Sequence, residues 1–122
     1  MTLKPVDLAD SGADGKLGRM SIDKKFAGDL VGASKGEMLS AQTDTKGSAG
    51  YVAIEKVVGQ LGGRKGTFIF QHSGTMDRGH SHLSVVVVPD SGTDGLTGIK
   101  GTMQIDIKDG KHLYHFEYSL PE

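Results

Sequence analysis

Apolar residues in this chain alternate with polar ones far more often than they follow a helical period. No window of ten or more residues keeps an i, i+3, i+4 pattern free of interrupting glycine, so the pattern predicts strands. The clearest stretch is residues 50–74. Two runs rich in β-branched and aromatic residues flank Gly62-Gly63, a hairpin signal. A turn centred there sets the register: Leu61 faces Arg64, Gly59 faces Gly66, Val57 faces Phe68, Glu55 faces Phe70, Ala53 faces His72 and Tyr51 faces Gly74. Side chains alternate along a strand. One face therefore carries Tyr51, Ala53, Glu55, Val57, Phe68, Phe70 and His72. The other carries Val52, Ile54, Lys56, Val58, Thr67, Ile69, Gln71 and Ser73.

A second hairpin is predicted over residues 102–108 and 111–120, turned by Asp109-Gly110, a favoured type I′ pair. It opposes Met103 to Phe116, Ile105 to Tyr114 and Ile107 to His112, with Tyr118 continuing that face. Between the hairpins, residues 83–89 form a valine-rich strand ended by Pro89. Its two faces, Leu83, Val85 and Val87 against Ser84, Val86 and Val88, are both largely apolar, so both are expected to be covered. This is the basis for expecting a homo-oligomer. Residues 1–16 are polar and are expected as an N-terminal arm before a domain over 17–122. Residues 17–30 carry Met20, Ile22, Phe26 and Leu30 at even spacing and read as strand, with a bend at Gly28. Residues 32–36 read as a turn, 37–43 as strand, 44–48 and 75–81 as loops, and 90–95 as a loop before a short strand over 96–101. The count is seven or eight strands, an all-β barrel or sandwich.

Composition narrows the partners. The chain has 122 residues, one domain by length. Glycine makes up 19 of them, against a usual ~7%, and recurs between apolar runs as in a tightly turned β protein. Net charge is -1 and no run of basic residues is longer than the dipeptides Lys24-Lys25 and Arg64-Lys65, so no nucleic-acid footprint is expected. The longest strongly apolar run, residues 85–88, is too short for a membrane helix. With no cysteine and no apolar leader at residues 1–17, a cytoplasmic protein without membrane partners is expected.

Candidate chemistry lies on the first face of the 50–74 hairpin. Glu55 and His72 are diagonal neighbours, with Tyr51 nearby and Phe68 and Phe70 excluding water. Desolvation would raise the Glu55 pKa toward general-base values, opposed by a charged His72. The plainer reading is a satisfied buried pair. His80-Ser81-His82, with His72, could offer three imidazoles to a metal as in a cupin, but the carboxylate expected a few residues on is missing. No metal or cofactor is therefore assigned.

Several stretches carry a resemblance: residues 26–32, 47–55, 62–68, 71–74, 87–93 and 110–114. Together they resemble a family of small bacterial proteins defined only as domain-of-unknown-function family 3224, grouped with allene oxide cyclase-like barrels. The resemblance implies a single antiparallel eight-stranded β-barrel, calycin-like, with a central cavity, and no established reaction. No catalytic position of allene oxide cyclase matches this chain by motif, so cyclase activity would rest on fold analogy alone. The favoured expectation is binding of a small, mostly apolar molecule in the lumen, contacted by Phe68, Phe70, Met103, His112, Tyr114, Phe116 and Tyr118. The first alternative is a cofactor-independent isomerase, cyclase or lyase using Glu55, His72 and Tyr51. The second is a cupin-like metal enzyme using His72, His80 and His82.

Overall fold

Gly62 and Gly63 adopt φ of 58° and 82°, the left-handed pair that a two-residue hairpin requires. The strands they join pair as the glycines dictate, Leu61 with Arg64 through Tyr51 with Gly74. A computed structural model describes residues 2–5, 17–28, 30–108 and 111–121, and side chains over 17–28, 30–105 and 115–121. The strands are β1 Thr2–Pro5, β2 Leu17–Phe26, β3 Leu30–Gln42, β4 Ala49–Leu61, β5 Arg64–Asp77, β6 His80–Val87, β7 Lys100–Lys108 and β8 Lys111–Ser119. They form one sheet in chain order. Every ladder is antiparallel. Seven long strands, β2–β8, make the body, and the short β1 pairs along the edge of β2. Among the described residues no ladder joins β1 to β8.

The last hairpin also has its expected register, Met103 with Phe116, Ile105 with Tyr114 and Ile107 with His112. Its Asp109-Gly110 turn, and the side chains of His112 and Tyr114, lie outside the described residues. Three local expectations fail. Residues 32–36 are not a turn but the middle of β3, paired with β4. Residues 75–81 are not a loop: β5 and β6 continue to a tight turn at Arg78 and Gly79, whose φ are 48° and 91°. Residues 96–101 are not wholly strand, because a single 3-10 turn, Asp94–Leu96, precedes β7. In the first two cases ladder pairing prevails over glycine and polar residues that local propensity treats as breakers.

The sheet curls. In a flat sheet β5 and β8 would stand roughly 14 Å apart, three strand spacings. Yet the ring of Phe116 on β8 lies 5.9 Å from Phe68 and 5.2 Å from Phe70, both on β5. Glycines on the inner face allow this. Phe26, Gly32, Gly59 and Gly66 fall in one row across β2–β5. A Cβ on Gly36 would lie 1.9 Å from the Ile54 carbonyl oxygen, and one on Gly59 would lie 2.3 Å from that of Val31. Strands can approach so closely only where no side chain intervenes.

The interior is built from Leu30, Val57, Leu61, Phe68, Phe70, Val85, Val87 and Met103. Leu96 and Ile99, both buried, pack onto this core from the β6–β7 connection. That connection is held against β5: Thr93 Oγ1 and Ser91 Oγ accept the backbone N–H groups of Thr67 and Ile69, and the Thr93 N–H donates to the Thr67 carbonyl at 2.9 Å. Leu96 then lies across Gly66, its Cβ and Cγ 3.2 Å from where a side chain would begin. On the valine strand the inward Val85 and Val87 are buried and the outward Val86 is half-buried.

Gly36→Ala is expected to cost about 1–3 kcal/mol because its methyl meets backbone that must move. Gly50→Ala, where the nearest heavy atom would be 3.7 Å away, is expected to cost less than about 0.5 kcal/mol. Urea unfolding of the two variants checks the difference.

Candidate functional site

Glu55 occupies an inward position at the middle of β4, and its side chain is only 1% exposed. A carboxylate there must find partners, since an unpaired buried charge costs several kcal/mol. Three neighbouring strands supply them. From β5, His72 Nε2 lies 2.6 Å from Oε1. From β3, Ser34 Oγ donates to Oε2 at 2.6 Å. From β2, Lys24 Nζ donates to Oε1 at 3.2 Å. All four residues are buried.

These partners decide the charge state. Burial alone pushes the Glu55 carboxyl up. The hydrogen bonds from His72 and Ser34, with the positive charge of Lys24 and then of His72, outweigh it and hold the carboxyl below its ordinary value. The expected rise toward a general base does not occur. An ionised Glu55 accepts from an Nε2–H of His72, which assigns the proton on that nitrogen. Tyr51 is half-buried, its ring seated over Gly74, where a Cβ would lie 2.4 Å from Tyr51 Cε1. Burial and then the Glu55 carboxylate push its phenol up. No hydrogen bond joins Tyr51 to Glu55 or His72 among the described residues.

A cavity of about 320 Å³ lies toward the Gly62-Gly63 end. Lys25, Phe26, Ala27 and Gly28 of β2 and the following turn line one side, Leu30 and Leu61 the floor, and Met103, Phe116 and Tyr118 the other side. Residues of β2 and β8 thus face each other across one space. The Phe116 and Tyr118 rings lie 5.2 Å apart and tilted by 38°.

Of the residues expected to contact a ligand, Met103, Phe116 and Tyr118 line this cavity. Phe68 and Phe70 do not. They are fully buried beneath Phe116 as an aromatic core, with their own rings 4.9 Å apart. Glu55, His72 and Tyr51 do not line it either. His112 and Tyr114 fall outside the described side chains.

The three-imidazole reading fails on register. His72 points inward opposite Val85, whereas His80 and His82 pair with Asp77 and Thr75 on the opposite face and are exposed. No group of three His, Asp or Glu side chains suited to a metal occurs among the described residues.

Sequence reasoning missed Lys24 and Ser34. Lys24 had a signal: it falls on the even-numbered face of Met20, Ile22 and Phe26, where a lone cation calls for an acid. Ser34 had none, because residues 32–36 read as a turn. The cavity wall at Lys25, Ala27 and Gly28 was also missed, since it forms only when the two ends of the sheet approach.

The fold and site together define a small antiparallel β protein with a buried charged centre on four strands and, apart from it, a cavity lined mostly by apolar side chains. The chain belongs to the DUF3224 family, described as proteins of unknown function, whose family model matches residues 2–118. It is similar to a protein of unknown function from that family in Shewanella oneidensis MR-1, known from a crystal structure. The two are 50% identical with a TM-score of 0.92, over 99% of this chain and 91% of that one. No curated protein matches the chain.

Lys24→Met and Glu55→Gln are each expected to cost about 3 kcal/mol, because the first takes the lysine cation from a buried carboxylate and the second leaves Lys24 buried without its acid. The double variant is expected to cost less than their sum, as read by urea unfolding. The pH dependence has a definite sign. Folding lowers the Glu55 pKa, so its contribution is present above the ordinary value of 4.5 and is lost as pH falls through the lower folded value. Below that ordinary value the unfolding free energy of the wild type should fall more steeply with acid than that of Glu55→Gln.

Proposed function

We propose that this protein binds one small, mostly apolar molecule in the cavity between β2 and β8, within a sheet that closes as an eight-stranded barrel. The cavity carries this reading. Its walls are Phe26, Leu30, Leu61, Met103, Phe116 and Tyr118, and its volume is at the lower end of the roughly 300–1,000 Å³ usual for small-molecule sites. The tilted Phe116 and Tyr118 rings suit a planar ligand. Lys25 and the exposed side of Tyr118 supply polar groups at the rim. The curl that brings β2 and β8 to one cavity supports barrel closure, and eight strands enclose room for about one small ligand.

Proton transfer by Glu55 and His72 is less well supported. The carboxylate is held ionised by three side chains, and neither residue reaches the cavity. A satisfied charge centre that ties β2, β3, β4 and β5 together accounts for the same contacts.

Native mass spectrometry of gently purified protein is expected to show a co-purified small molecule. Ala27→Trp, at an exposed edge of the cavity, should lower affinity for that molecule by about tenfold or more while leaving thermal stability nearly unchanged, since surface changes are usually within about 0.5 kcal/mol. Glu55→Gln should leave binding intact wherever it remains folded. Unaltered binding by Ala27→Trp would place the ligand elsewhere, and substrate turnover abolished by Glu55→Gln in a folded protein would favour the enzyme reading.

A further inference from the structure

Five large apolar side chains lie on the outer face of β3 and β4. Val31, Leu39, Val52, Ile54 and Val58 are 49–57% exposed. Leu39 pairs directly with Val52, and Ala33 with Val58. They fall in two groups, Leu39, Val52 and Ile54 at one end and Val31 and Val58 at the other, on either side of Lys35 and Lys56. Solvated sheet faces normally carry polar residues at such positions, and exposed apolar groups of this size mark an interaction surface. We propose that this face is the interface of an isologous homodimer whose twofold axis passes over Gly36.

The order of residues selects a second copy as the occupant. Outward positions along β3 read Val31, Ala33, Lys35, Glu37, Leu39 and Ala41. The series is apolar at both ends, with a base and an acid side by side at the centre. A twofold axis lying in the interface across the strands at Gly36 sets each β3 antiparallel over its copy. Lys35 of one protomer then meets Glu37 of the other, twice by symmetry. Ala33 meets Leu39, and Val31 meets Ala41. On β4 the same axis passes over Glu55, because Gly36 pairs with Glu55. Val52 then meets Val58, and the aliphatic stem of Lys56 covers Ile54. Apart from Ile54, which meets the stem of Lys56, apolar positions fall on apolar ones and opposite charges on each other, as an isologous contact favours. Sheet twist offsets the outer positions, so the match is tightest near the axis.

Charge in the single chain points the same way. Lys35 and Lys56 stand directly opposite each other across the β3–β4 ladder, an unfavourable like-charge pair. No ion pair to either lysine occurs among the described residues. Glu37 Oε1 accepts from Arg19 Nη2 at 2.5 Å, which leaves Oε2 for the Lys35 of a second copy. On the valine strand the outward Val86 is already half-buried. The exposed apolar surface lies two strands away.

The two central charges give a test specific to this axis. Lys35→Glu places two acids against two acids in a homodimer, and Glu37→Lys places two bases against two bases. Each variant alone should dissociate about tenfold or more readily than the wild type, because like charges across an interface cost several kcal/mol. An equimolar mixture should associate again, since each Glu then meets a Lys. Ile54→Lys should also weaken the dimer. Sedimentation equilibrium through the micromolar range measures all four, with circular dichroism confirming that each variant is folded. A wild-type chain that stays monomeric, its face left for a different protein, overturns the proposal. So does a dimer indifferent to Lys35→Glu and Ile54→Lys, or a mixture that fails to reassociate.

Discussion

The Glu55 carboxylate is the constraint on which this interior depends. An ion removed from water is tolerated only when its partners are in place, and those partners come from β2, β3 and β5. One side chain therefore fixes the relative register of four strands. A slip of one residue in β4 would turn Glu55 outward and leave Lys24 buried without its acid. Apolar packing alone tolerates exchange of similar shapes, whereas a charge centre with three hydrogen-bonded partners accepts one arrangement. The same partners that make burial possible also keep the carboxyl ionised. That links the fold to the site, because a group held this way anchors the interior more readily than it exchanges protons.

Curvature is the second requirement, and glycine meets it. Gly32, Gly36 and Gly59 let β3 and β4 approach within distances that no Cβ permits. Gly66 leaves a place for Leu96, so the β6–β7 connection can pack onto the core. Phe68, Phe70 and Phe116 then meet as one aromatic cluster, although they come from strands that a flat sheet would hold apart. The space left between β2 and β8 is the cavity. Its apolar walls are a consequence of the curl, with Met103, Phe116 and Tyr118 brought against Phe26 and Leu30.

The two faces of β4 divide the protein's roles. Its inward residues hold the charge centre and the core. Its outward residues, with those of β3, present valine, leucine and isoleucine to the surroundings. Alternation along a strand makes the two inseparable: the register that buries Glu55 is the register that exposes Ile54 and Val52. A surface built this way inherits its precision from the interior beneath it.

Much of this was determined by the sequence itself. The turn chemistry of Gly62-Gly63 specified the register of the β4–β5 hairpin, since a two-residue turn leaves no freedom in pairing, and the spacing of residues 108 and 111 matched the register of the last. Alternation then placed Glu55, His72, Phe68 and Phe70 on one face, and Met103 and Phe116 on another. Tertiary structure alone decided how those faces meet. Ser34 joined the charge centre because β3 runs through a glycine-rich stretch that local propensity reads as a turn. Lys24 reached Glu55 across two strand spacings, a contact no hairpin rule encodes. The cavity lies apart from Glu55 and His72, near the Gly62-Gly63 end, while Phe68 and Phe70 pack into the core. Local patterns encode period and pairing between neighbours. The curling of the sheet depends on contacts between residues far apart in the chain, and those patterns do not carry it.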